Sequence, residues 1–197
     1  MNSTSWRQNL SEYWRRPPSG YRPGVTLNQL RRDLAGLDCT PLAPGLARFT
    51  WAAGGFGFEV QELPQAQFLM HLVLCEFRLR VPTRPGPVAR IDLRHTGALR
   101  RQGVAACLKQ GTQEQWSGLL ASLPSDPQLL AALLPLDFKR LQLQRDEQGW
   151  WVRLEHFGAS EVVNRLPGFR RYIRLSAEQR HALLAAFVRL HSLLGDY

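Results

Sequence analysis

The chain has 197 residues, of which 44% are hydrophobic, and 25 Lys and Arg against 16 Asp and Glu give it a formal net charge of +9. That length suits one domain whose core can stand without disulfides or metal, and no apolar run approaches the ~20 residues that span a bilayer. The three cysteines, Cys39, Cys75 and Cys107, are odd in number and far apart, with no CxxC pair. They argue against a disulfide framework or a zinc site and read as small buried hydrophobes in a cytoplasmic protein.

The charge favours an anionic partner, nucleic acid first and an acidic protein or anionic membrane surface second. Only Lys109 and Lys139 among the basic residues are lysine. The rest are arginine, whose planar fork grips phosphate and stacks on flat rings.

Residues 1–24 divide into an amphipathic segment and a linker. Trp6, Leu10, Tyr13 and Trp14 recur at helical spacing, and Ser5 with Gln8 has the form of a capping box. "PPSGYRPG" then acts as a turn-rich connector. Residues 25–197 read as a single α+β domain. Thr26 with Gln29 suggests a second capping box, followed by the helical stripe Leu27, Leu30, Leu34 and Leu37.

From 46 to 111 the period changes to two. "RFTWAA" and "GFEVQEL" flank a hairpin turn, "FRLRV" and "ARIDLRH" alternate apolar residues with arginine, and "GVAACLKQ" reads as a strand. Thr112 with Gln115 opens a helix, and "PQLLAALLP" is a short apolar helix. "FKRLQLQRDEQGWWVRLEHF" is a hairpin around "DEQG", "ASEVVNRL" reads as two helical turns, and "RRYIRL" as a strand. Ser176 with Gln179 caps a final helix that buries Leu183, Leu184, Phe187, Val188, Leu190 and Leu194.

"TQEQWSGLLASL" at 112–123 and "SAEQRHALLAAF" at 176–187 share Glu, Gln, Leu, Leu and Ala in register. With the preceding strands they suggest an internal duplication, 46–123 against 138–195, in two pseudo-twofold-related β-β-α-β-α halves. The expected architecture is an antiparallel sheet with helices on one face.

The other face would then collect Arg78, Arg80, Arg90, Arg94, Arg140, Arg153, Tyr172 and Arg174. Such a face suits nucleic acid, arginine taking phosphates and flat side chains taking bases. Trp6, Leu10, Tyr13 and Trp14 carry the alternative, an adaptor or peripheral membrane protein. Enzyme chemistry is the third choice. There is no GxSxG, P-loop, GxGxxG or HExxH, no motif asks for a cofactor, and the histidines lack metal-ligand spacing. Asp92, Arg94 and His95, with Glu155 and His156, form the nearest thing to an acid–base cluster.

Overall fold

A computed structural model describes residues 18, 20–52, 55–97, 101–165 and 168–197. Helix α1 (Val25–Asp33) is followed by six strands, β1 (Asp38–Ala43), β2 (Leu46–Trp51), β3 (Phe56–Gln67), β4 (Met70–Pro82), β5 (Ala89–Thr96) and β6 (Gly103–Gln110). Then come α2 (Gln113–Ser125), α3 (Pro127–Leu133), β7 (Phe138–Asp146), β8 (Gly149–Arg165), β9 (Gly168–Ile173) and α4 (Ala177–Gly195). The protein is α+β. Its strands form one antiparallel sheet in the order β1-β2-β3-β4-β8-β7-β5-β6, with β9 continuing beside the far end of β8.

The helices lie on one face, because each meets sheet residues of the same pleat. Phe58 packs edge-on against Phe187 of α4, Trp150 against Trp116 of α2, and His95 hydrogen-bonds the Leu133 carbonyl of α3. Glu62 accepts the Leu27 N–H of α1. Cross-strand pairing carries that face across the sheet as Phe49–Phe58–Leu79–Val152–Leu143–Ile91, all fully or almost fully buried. Period-2 alternation therefore supplies a continuous apolar layer, and the helical stripes close over it. Among the described residues no helix is long and apolar enough to cross a membrane.

Several sequence expectations need correction. "ASEVVNRL" is not helical. Strand β8 runs through it to Arg165, paired with β4 on one side and β9 on the other. Residues 66–72, its supposed counterpart, are the tip of the β3–β4 hairpin. The β-β-α-β-α order is therefore absent: 46–123 reads β2-β3-β4-β5-β6-α2, and 138–195 reads β7-β8-β9-α4.

Ser176 and Gln179 do form the capping box of α4. Thr112 caps α2 without a side-chain hydrogen bond, and Gly24, in the left-handed region, occupies the cap position of α1. Val188 is 43% exposed rather than buried. Cys75 is buried, but Cys39 is half-buried and Cys107 exposed. Strand β1, whose "DCTPLA" carries no clear alternation, pairs with β2 at the sheet edge.

Candidate nucleic-acid interface

The helix-free face of the sheet is built from the alternate positions of the same strands. Its central row runs Arg48–Glu59–Arg78–Arg153–Gln142–Asp92, each residue opposite the next on the adjoining strand. One row along lie Arg80, Trp151, Gln144 and Arg90, and on the other side lie Glu76, Glu155 and Arg140. Arg94 follows Asp92 on the same side of β5. Six predicted residues are thus brought together: Arg78, Arg80, Arg90, Arg94, Arg140 and Arg153.

Carboxylates are interleaved with them. Arg78 pairs with Glu76, Arg48 with Glu59 at 2.8 Å, and Arg140 reaches Glu155 at 3.7 Å. Arg80 grips Asp146 with two nitrogens, at 3.0 and 2.9 Å, and its guanidinium lies 4.7 Å from the Trp151 ring centroid. This fork holds the Asp146 carboxyl down to about 2. Gln142 Nε2 donates to Asp92 at 2.9 Å.

Arg90, Arg94 and Arg153 form no ion pair among the described residues. Arg153 is the most unusual of the three. It stands mid-sheet directly opposite Arg78, a like-charge pairing that costs stability, and its buried Nε has no hydrogen-bond partner.

Tyr172 and Arg174 do not join this face. The alternation in "RRYIRL" is real, but its phase is the reverse of the expected one. Arg170 and Tyr172 turn toward α1, leaving Phe169, Arg171 and Ile173 on the open side. The cause is Asp33 at the end of α1, which accepts hydrogen bonds from the Tyr172 hydroxyl at 2.9 Å, Leu175 N–H at 2.9 Å and Arg174 Nε at 3.2 Å. Burial, reinforced by that carboxylate, pushes the Tyr172 phenol far above its ordinary range.

The acid–base cluster is also dispersed. Asp92, Arg94 and Glu155 belong to the open face, whereas His95 and His156 belong to the helix-covered one. His95 stacks on Phe138 with centroids 4.0 Å apart. His156 is fully buried. Its Nε2 accepts the Asp137 N–H at 2.9 Å, so Nδ1 carries the proton and donates to the Gly158 carbonyl at 3.2 Å. Burial lowers the affinity of both imidazoles for a second proton. Trp6, Leu10, Tyr13 and Trp14 lie outside the described residues.

Sequence reasoning missed a polar seam under α1. Glu62, 2% exposed, accepts from Tyr21 Oη at 2.7 Å, Gly24 N at 2.9 Å and Leu27 N at 2.8 Å. It serves the free N–H groups that open the helix, which the residues at its own start leave uncapped. Glu161, also buried, accepts from Thr26 Oγ1 at 3.3 Å and pairs with Arg170 at 3.3 Å. Two acidic residues at apolar-phase strand positions, Glu62 between Val60 and Pro64 and Glu161 beside Val163, were the available signal. The Glu62 contacts and the Thr26 hydroxyl fasten α1 and its lead-in to the sheet, while the Glu161–Arg170 pair joins β8 to β9.

The family described as protein of unknown function (DUF3156) matches residues 32–194. No curated protein and no solved structure matches the chain.

Proposed function

We propose that this chain, which belongs to the DUF3156 family, is a non-enzymatic binding module that takes single-stranded nucleic acid across the open face of its sheet. Arg153 carries the reading. A guanidinium held mid-sheet against a like charge, with no carboxylate to satisfy it, gains from a phosphate placed above it. Arg90 and Arg94 extend the unpaired charge along β5, and Trp151 adds a flat ring in the neighbouring row. The paired arginines contribute less, since a phosphate must compete there with Glu59, Glu76, Asp146 or Glu155.

The magnitude follows from the count of unpaired cations. Three phosphates neutralised at about 0.7 each give a slope of log affinity against log salt of about −2. Binding is therefore weak and salt-sensitive. Fluorescence anisotropy with a labelled single-stranded oligonucleotide across a salt series tests this. Wild type should bind near 50 mM salt with that slope, and the triple variant Arg90→Ala, Arg94→Ala, Arg153→Ala should flatten it. Arg174→Ala should leave binding unchanged, because that side chain holds Asp33 on the opposite face. No binding at low salt, or a slope unaltered by the triple variant, would return the open face to solvated surface.

A further inference from the structure

The two ends of the open face differ in chemistry. The half carrying Arg153 is charged. The far half, where β4, β8 and β9 run together, is richer in apolar side chains and, among the described residues, carries no carboxylate on its open side. Cross-strand pairing places Met70, Asn164 and Phe169 in one row and Leu72, Val162 and Arg171 in the next, with Ile173 beyond them. Phe169 is 48% exposed and Ile173 40%. On β3 the same rows end in Gln67 and Gln65. Glu161, the nearest acid on β8, points to the other side and is held by Arg170 and Thr26.

The hairpin between β3 and β4 turns at this end, beside the paired ends of β8 and β9. Gln67 pairs with Met70, so the loop is two residues, Phe68 and Leu69. Loops of that length favour Asn, Asp and Gly, because positive φ is cheap for them and their side chains suit water. Here the loop carries two large apolar side chains. Phe68 is 92% exposed, and Leu69 takes φ 63°, a left-handed conformation unfavourable for a residue with a branched side chain. Phe68 gains almost no burial on folding, and Leu69 leaves 44% of its surface exposed in a conformation that disfavours it. Local rules broken at an exposed tip point to a role outside the fold.

We infer that this tip is a docking surface for an anionic lipid bilayer, with Phe68, Leu69 and Phe169 entering the interfacial region and Arg171 meeting headgroups. The chemistry fits on three counts. The apolar side chains sit exposed at a turn on the end of the sheet rather than in a groove, so a soft planar partner can cover them. Their described neighbours are Arg171 and neutral amides, with Lys139 beyond Gln65 and no exposed acid among them, which complements a negative surface. The molecule's net charge of +9 steers the approach in the same direction.

The test uses the full chain with sedimenting vesicles of phosphatidylcholine, with and without phosphatidylserine. The informative variant is Phe68→Asn with Leu69→Gly, which supplies the residues this loop geometry favours. Wild type should sediment with the phosphatidylserine vesicles. The variant's partition coefficient should fall at least about ten-fold, while its melting temperature stays level or rises and its oligonucleotide binding is unchanged. Failure of wild type to sediment with anionic vesicles would overturn the proposal, as would equal sedimentation of the variant. A wild-type dimer in analytical ultracentrifugation that the variant dissolves, without vesicle binding, would replace the bilayer with a second copy of the chain.

Discussion

Replacing Glu62 tests how α1 is held to the sheet. The carboxylate is 2% exposed and serves three donors, the Tyr21 hydroxyl and the Gly24 and Leu27 amides. Hydrogen bonds to a charged group contribute roughly 1.5–3 kcal/mol each. They do not sum, because Glu62→Ala also removes the cost of burying the charge itself. The net expectation is a loss of about 3 kcal/mol, at the lower edge of what breaking a buried charged cluster costs. Glu62→Gln should lie between, near 1–2 kcal/mol, since its amide nitrogen would face donors at Oε2 while its oxygen still receives Leu27 N–H. Tyr21→Phe removes one donor alone, about 1 kcal/mol, and a double-mutant cycle with Glu62→Ala should show coupling of similar size. Urea unfolding followed by circular dichroism gives each value, and amide exchange at Leu27 localises the effect to the helix start. A Glu62→Ala midpoint indistinguishable from wild type would refute the idea that this carboxylate anchors α1.

Two further outcomes follow from buried groups. Because burial lowers the His156 pKa below 6.5, its contribution is present above that unfolded value and lost as pH falls through the folded one; the urea midpoint should drop between pH 7 and about pH 5, and His156→Gln should lessen the slope while lowering stability at pH 7. Gly149 sits at φ 123° with an added Cβ 2.3 Å from the Val81 carbonyl oxygen, so Gly149→Ala should cost more than about 3 kcal/mol by thermal unfolding, whereas Gly55→Ala, at φ 68° with open space around it, should cost only about 1 kcal/mol.

The elements most legible in the sequence were those whose periodicity is set locally. Leu27 and Leu30 line the buried face of α1 as read, whereas Leu34 caps the helix and Leu37 lies beyond it, both still buried, and the hairpin around "DEQG" closes with Asp146 opposite Gly149. "ASEVVNRL" misled for a physical reason. Between His156 and Glu161, strand β8 carries extra residues relative to β4, and Ala159 takes φ 65°. A bulge of this kind breaks the alternation, so apolar residues on its two sides no longer share a phase and imitate helical spacing. The β-branched pair Val162–Val163 was the better guide, since branching favours the pleated backbone.

Alternation also says which residues share a face without saying what that face meets. In β9 the choice was made by Asp33, more than 130 residues earlier in the chain, which draws Tyr172 inward and turns Ile173 out. The same limit applies to charge. Composition counts cations; only the register reveals that Glu59, Glu76, Asp146 and Glu155 stand beside Arg48, Arg78, Arg80 and Arg140.

Once those pairs are removed, the open face divides, among the described residues, into a region with three unpaired guanidiniums and a region whose one unpaired charge is Arg171, Lys139 at its border being held by Gln65 and Glu155. These respond differently to salt: phosphate contacts weaken as ionic strength rises, whereas burial of Phe68 and Phe169 does not depend on screening. The salt dependence of a partner therefore identifies the half that holds it. A partner released as salt rises sits over Arg153, and one retained while headgroup attraction is screened sits on the hairpin tip.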